Sequence, residues 1–264
     1  MNPRKILGII YRAFAHPAKR KARFQPVRSM CRLPIVYDII SLFLQLRDLN
    51  RVSKIKDHLA TTNSNAHYHQ VHLYNADVTQ EKLVTSTRRA EIYYKLLSFF
   101  YRPLNTERLL VVGPRNIQEL FTAWTYGWSW NNIQGIDLYS TNPKIIVMNM
   151  EKMDFKDSSF CAVAMANTLS YADDTNQALS EVARILRPGG WFSFSATFDP
   201  NGSTWKEDGV DGKSLAEMLH NLNFEICGHF AVDKINSQKR RQTSHDFLVR
   251  LIPENEENLD PFRL

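Results

Sequence analysis

Hydrophobic and polar positions along this chain follow two periods, and from about residue 109 to residue 251 the two take turns. Residues 160–166 (FCAVAMA) form a short continuous apolar run, the pattern of a strand buried on both faces. A helix is predicted next. Asp174 with Gln177 three residues on can form a capping box, after which Ala178, Leu179, Val182, Ile185 and Leu186 fall on one face. Arg184 and Arg187 suit its negative end, and Pro188-Gly189-Gly190 stops it. Residues 191–197 (WFSFSAT) supply a second strand, so the segment reads as one strand-helix-strand crossover of right-handed sense.

The same alternation starts earlier. Residues 109–112 (LLVV) predict a first strand closed by Gly113, and Ile117, Leu120, Phe121 and Trp124 predict a helix that Asn116 and Glu119 cap. Residues 132–138 and 144–150 predict two further strands. Only residues 138–143 separate them, too few for a crossover helix. Either that helix is lost or the strands are misplaced. If it is lost, one sheet face is left bare, and the helices before residue 109 are its natural cover. Downstream, residues 213–222 predict a helix, 224–232 a strand and 245–251 a last strand, with the alternation of a half-exposed antiparallel edge in HDFLVRL.

Before the sheet, Ile39, Leu42, Leu46 and Leu49 recur at helical spacing within residues 33–59, predicting a helix of core or lid type. Residues 61–66 (TTNSNA) break it. A second helix is predicted over residues 80–101, through Leu83, Ile92, Leu96, Leu97 and Phe100. The first 32 residues are an amphipathic leader, with Ile6, Leu7, Ile9, Ile10, Tyr11 and Phe14 followed by Lys19, Arg20, Lys21, Arg23 and Arg28. Two readings stand for it: a segment lying on an anionic membrane surface, or a helix docked on the domain with a solvated basic linker. The organisation expected is a leader over 1–32, a helical lid or accessory region over 33–104, an α/β domain over 105–252 and an acidic tail over 253–264.

Charge sharpens this division. Nine Lys or Arg and no Asp or Glu fall within residues 1–37, which turns a whole-chain net charge of +6 into −3 for the rest. A body of slightly acidic balance argues against broad nucleic-acid binding. The three cysteines form no CxxC pair, so neither a disulfide framework nor a cysteine zinc site is expected, and a reducing compartment fits. No metal site is expected. His67 and His69 would share a strand face in HYHQVHLY, but no carboxylate stands at ligand spacing. No apolar run reaches the length of a membrane span, and the leader lacks a signal-peptide pattern, so a cytoplasmic location is expected, with peripheral membrane attachment left open.

The motifs point to a family. Phe155-x-x-x-x-Phe160, the apolar strand, Tyr171-x-Asp173 and Glu181-Val-Ala-Arg184-Ile-Leu-Arg187-Pro-Gly-Gly190 resemble the small-molecule branch of the class I S-adenosylmethionine-dependent methyltransferases, over about residues 109–251. The resemblance implies a Rossmann-like, doubly wound α/β sheet of seven strands with the last strand antiparallel, here preceded by a helical N-terminal extension. It implies S-adenosylmethionine as cofactor. The family's GxGxG loop reads Gly113-Pro114-Arg115-Asn116-Ile117, keeping the first glycine alone. Arg115 then has two readings, a contact to the cofactor carboxylate or a structural ion pair. Asp137 matches the acidic residue that accepts from both ribose hydroxyls, 24 residues beyond Gly113, against the alternative of a turn aspartate. Asn149 matches the adenine-contacting position and is followed by Met150; an amide oxygen can replace a carboxylate there. Asn167 follows the fourth strand at the ligand end.

The function implied is transfer of a methyl group from S-adenosylmethionine to an oxygen or nitrogen of a small molecule, lipid or glycan. Such a displacement needs placement more than covalent help. Asn167, Tyr171, Asp173 and Asp199 fall at the ligand end, but none identifies itself as a base, so no catalytic residue is assigned. His229 and His245 fall on strands. The degenerate loop keeps a second reading open, a methyltransferase fold without catalysis that serves as a binding or scaffold protein. A nicotinamide-dinucleotide protein is disfavoured by the missing GxGxxG.

Overall fold

The structure is a computed structural model, and it describes residues 20–59, 90–138, 140, 142–198, 211–235 and 241–253. The apolar part of the leader, His67, His69 and His72, the first half of the expected 80–101 helix, Asp199 with its loop, and the tail beyond residue 253 lie outside the described residues.

Seven strands form one sheet: β1 (Leu109–Val112), β2 (Ile133–Asp137), β3 (Ile145–Val147), β4 (Phe160–Met165), β5 (Leu186–Phe198), β6 (Phe224–Ile235) and β7 (Arg241–Leu251). Their order is β3-β2-β1-β4-β5-β7-β6. The first five strands pair in parallel, and β7 runs antiparallel to both β5 and β6. The Rossmann-like sheet with its last strand reversed is therefore present. The described helices are α1 (Arg20–Cys31), α2 (Pro34–Leu59), α3 (Glu91–Phe100), α4 (Ile117–Thr125), α5 (Thr175–Ile185) and α6 (Gly212–Asn221).

Three helix starts are set by a local acceptor. The side chains of Asn116, Asp174 and Asp211 accept from backbone N–H groups of the first turns of α4, α5 and α6. One sheet face packs on α5 and α6, with Val163, Leu179, Val182, Phe192, Phe194 and Leu215 in a single buried cluster. The other packs on α3 and α4 through Tyr94, Leu97, Leu109, Leu120 and Ile133. Each such fully buried large side chain contributes roughly 1.5–3 kcal/mol relative to exposure. α1 and α2 stack outside α4, where Tyr37 packs on Phe121.

Four details differ from the pattern in the sequence. Pro188-Gly189-Gly190 does not precede β5 but lies within it: Leu186 already pairs with Phe160, and the register then jumps to Ala162 opposite Trp191. The glycines make a bulge instead of a stop, with Gly189 at φ +73°. Between β2 and β3 the crossover helix is absent, and β3 shrinks to three residues. The early helices do reach this bare corner, since Asn142 Nδ2 donates to the Asp48 carboxylate of α2 at 3.2–3.3 Å.

In α3 the buried side chains are Tyr93, Tyr94 and Leu97, while Ile92 and Phe100 face outward. Counting aliphatic residues misplaces this stripe because tyrosines can be buried once their hydroxyls find partners. In α2 the buried positions are Tyr37, Ser41, Gln45 and Asp48, and Ile39, Leu42 and Leu46 are exposed. Hydrogen bonds seat this helix on α4: Tyr37 OH lies 2.7 Å from Thr122 Oγ1, and Gln45 Nε2 donates to Gln118 Oε1 at 2.6 Å.

Candidate functional site

Parallel strands send their C-terminal ends to one edge, and the order β2-β1-β4 places the reversal of winding between β1 and β4. Ligand clefts form there in open α/β sheets. A cleft occupies this place. Gly113, Arg115, Asp137, Asn149, Met150 and Asn167, the six residues singled out from the sequence, all line it. They come from the loops after β1, β2, β3 and β4.

Gly113 is held by backbone and by packing. Its N–H donates to Ile136 O at 2.8 Å, and its φ of +69° lies in the left-handed region. A Cβ here would stand 2.1 Å from Thr168 Oγ1. Thr168 thus fills the space a side chain would need.

The rest of the degenerate loop keeps the turn by different means. The Pro114 ring packs over Gly135 of β2, where an added Cβ would meet Pro114 Cγ and Ile145 Cγ1 at 3.0 Å. Asn116 then accepts from Gln118 N at 2.9 Å and opens α4 beside the cleft. Arg115 stands where the family has its second glycine, and its side chain is part of the cleft wall.

Asp137 ends β2 with its carbonyl accepting from Met148 N at 2.9 Å, which pins the two strand ends together. Asn149 folds its Oδ1 onto Glu151 N at 2.8 Å. Asn167 is a non-glycine residue at φ +53°, and its strain is held by Ser195: Asn167 N donates to Ser195 Oγ at 2.9 Å, and Ser195 Oγ donates to Asn167 Oδ1 at 2.8 Å. Its amide NH₂ is then the group it can turn toward the cleft. Behind Ser195 lies Tyr93 of α3, whose hydroxyl also sits 3.0 Å from Asp246 Oδ1 of β7.

Four residues escaped the sequence reading. Thr168, Glu151, Ser195 and Tyr93 either line the cleft or brace it. Glu151 accepts from Asp174 N at 3.2 Å and also from Asp173 N, while its own carbonyl takes the Gln177 amide at 3.2 Å. It fastens the loop carrying Tyr171 across the cleft mouth. Only its position next to Met150 signalled it. Tyr93 and Ser195 carry no motif, and their pairing spans 102 residues.

The motif that carried the resemblance proves to be mostly scaffold. Arg184 donates to Glu181, to Asp157 and to the carbonyls of Phe155 and Met153, all at 2.7–2.9 Å. Those bonds, Arg184 first, hold the Glu181 carboxyl below its usual range. Arg187 bonds Glu107 at 2.6 Å and Tyr101 at 2.7 Å at the opposite edge of the sheet from the cleft. Burial there, with the Glu107 charge, pushes the Cys161 thiol up to about 11, so this buried cysteine stays a neutral thiol.

His229 and His245 stack on β6 and β7, 3.1 Å apart through their ring nitrogens. Burial and the neighbouring His229 hold the His245 pKa below the ordinary histidine value. Among the described residues no group of three or more His, Cys, Asp or Glu is placed to hold a metal ion. Trp124 and Trp130 pack against Tyr37 and Phe121, and Trp128 is buried against the α3/α4 face of the sheet. No described helix is long and apolar enough to cross a membrane.

Comparison with known proteins agrees with this architecture. A family model described as a methyltransferase domain matches residues 128–194. A ubiquinone/menaquinone biosynthesis C-methyltransferase from Hahella chejuensis is 42% identical over 52 residues, 20% of this chain and 21% of its own. A sterol 4-C-methyltransferase from Caenorhabditis elegans is 29% identical over 85 residues, 32% of this chain and 24% of its own. The chain therefore spans between a fifth and a quarter of the length of these curated relatives. In structure, a chain from the complex between the Haloferax volcanii Trm112 methyltransferase activator and a methyltransferase superposes with a TM-score of 0.54. That match is 13% identical and covers 73% of this chain and all of the other. The sheet and the helices packed on it have the fold of a class I methyltransferase domain, and residues 128–194 resemble a methyltransferase domain in sequence.

Proposed function

We propose that this chain is an S-adenosylmethionine-dependent methyltransferase whose acceptor is a small apolar or lipid-class molecule. The observation that carries the reading is the convergence of Gly113, Arg115, Asp137, Asn149, Met150 and Asn167 on one cleft at the reversal of strand winding. Their chemistry suits the cofactor's parts. Asp137 offers two acceptor oxygens for two ribose hydroxyls, Asn149 an amide oxygen and Met150 an apolar surface for adenine. Arg115 offers a cation for the amino-acid carboxylate, and Gly113 lets the backbone turn closely against Thr168 beside it. The bound cofactor supplies an electrophilic methyl group. The protein's part is to hold the acceptor in line with it and keep water out, which supplies most of such a rate.

No described residue of the cleft is assigned as a base. Asn167 and Tyr171 line the same cleft, where their polar groups can orient a bound ligand by hydrogen bonds. Two relatives named for quinone biosynthesis and for sterols support an apolar acceptor, and as C-methyltransferases they add carbon to the oxygen and nitrogen expected from chemistry alone. Peripheral location on the cytoplasmic side of a membrane follows from such an acceptor.

The test is incubation of the full chain with methyl-labelled S-adenosylmethionine and, in separate reactions, a sterol, a prenylated phenol and a phospholipid, with label counted in the organic extract. Label in one of the three extracts supports the reading. Transfer confined to water-soluble acceptors would overturn the lipid class, and absence of S-adenosylhomocysteine binding would overturn the activity.

A further inference from the structure

Helix α2 is built inside out. Of its described side chains, the buried ones are Tyr37, Ser41, Gln45 and Asp48, and Tyr37, Gln45 and Asp48 hydrogen-bond to Thr122, Gln118 and Asn142. Opposite them Ile35, Ile39, Leu42, Phe43 and Leu46 are between 40% and 75% exposed. These five recur at helical spacing and fall on one stripe about 17 Å long. Met30 and Leu33, also exposed, extend it toward α1. A surface helix in water carries its polar residues outward, so a contiguous outward apolar stripe marks a contact with something other than water.

Charge selects the occupant. The chain leading into this stripe holds nine Lys or Arg and no acidic residue up to Tyr37. Two of the nine are used on the domain: Arg28 donates to Trp128 O at 3.3 Å and Arg32 to Thr125 O at 3.0 Å, at the C-terminal end of α4. These bonds fix α1 and α2 on the body, so that the stripe faces outward at a fixed angle. The other seven, Arg4, Lys5, Arg12, Lys19, Arg20, Lys21 and Arg23, precede it in sequence. An apolar stripe that a basic segment precedes in sequence matches an anionic bilayer, whose acyl boundary takes the former and whose headgroups take the latter. A second copy of the chain would bring the same positive charge and is disfavoured for that reason.

We propose that the outer face of α2, through Ile35, Ile39, Leu42, Phe43 and Leu46, docks this protein on anionic membranes, with the docked helix carried rigidly on α4. The proposal goes beyond the methyl-transfer reading and does not need it: the face lies outside the cleft, and vesicle binding can be read without turnover.

The experiment is flotation of the full chain with phosphatidylcholine vesicles, and with vesicles of phosphatidylcholine and phosphatidylserine at 7:3, for the wild type and for the double variant Ile39→Ser/Phe43→Ser. Both side chains are exposed, so the variant should keep the wild-type melting curve and S-adenosylhomocysteine titration. The wild type should float with the anionic vesicles, and the variant's partitioning should fall by at least about tenfold. Equal flotation of the two proteins, or no flotation of the wild type, overturns the proposal. So does a wild-type dimer that light scattering finds without lipid and that the double variant converts to monomer, since a second copy would then occupy the face.

Discussion

The hydroxyl of Tyr93, on a helix that precedes the sheet, sits 2.6 Å from Oγ of Ser195 in the middle of β5. Through Ser195 it reaches Asn167, whose backbone at φ +53° forms part of the cleft wall. The accessory helix thereby braces the site as well as covering a sheet face. Tyr93→Phe should lower stability by about 1–2 kcal/mol, because Ser195 and Asp246 each lose a buried partner. A urea midpoint lowered with unchanged slope checks the stability part. A severalfold weaker S-adenosylhomocysteine affinity checks the brace, and unaltered affinity would reduce Tyr93 to packing.

Gly113→Ala carries two costs that can be separated. The left-handed backbone costs about 1–2 kcal/mol for any residue with a Cβ, and the clash with Thr168 adds to it. In a Thr168→Gly background the clash disappears and the backbone cost remains. A double-mutant cycle on thermal stability should therefore show strong coupling between the two positions. Additive effects would contradict the packing seen at this turn.

Acid should loosen the molecule from the side opposite the cleft and from α5. Glu181 is held below its usual range first by Arg184 and then by Met153 N–H, and Glu107 is held low by Tyr101, Leu104 N–H and Arg187 despite burial that pushes it up. A carboxylate depressed in the folded state stabilises fully above its unfolded pKa and loses that contribution as pH falls through the folded value. Stability should thus be flat down to about pH 5 and fall below about pH 4.5. Glu181→Gln should lower the plateau and flatten the acid limb in denaturation series run from pH 3 to pH 7. An acid limb identical to the wild type would refute the assignment.

Much of the fold was legible because α5, β4 and β5 bury mostly apolar residues: Leu179, Val182 and Phe192 could be assigned to the core from spacing. The cleft was legible through Gly113 and Asp137, whose positions after strands fix where their side chains or backbone must lie. What stayed hidden depends on pairings across long separations. Tyr93 and Ser195 are polar or amphipathic, so no period reports them, and their meeting is decided by how α3 lies on β5. Likewise the stripe of α2 was visible, but its direction was not. Its opposite face is polar enough to be mistaken for the solvent side until Gln118, Thr122 and Asn142 supply its partners.

The missing helix between β2 and β3 makes the early helices part of the fold's stability. Removal of residues 1–100 would uncover Phe121, Trp124 and Leu109 and strip Asn142 of Asp48. The fragment is expected to be insoluble or unfolded, judged by gel filtration and circular dichroism. A soluble fragment with the wild-type melting temperature would show that the sheet needs no such cover.

The most direct test of the central claim is calorimetric titration of the full chain with S-adenosylmethionine and S-adenosylhomocysteine, repeated on Asp137→Ala. Asp137 lines the cleft at the end of β2, and two charge-assisted hydrogen bonds lost with its carboxylate should weaken binding by at least about tenfold. Micromolar binding in the wild type that the variant loses is the predicted result. Wild-type binding that is absent, or that Asp137→Ala leaves intact, would contradict the assignment of this cleft to the cofactor.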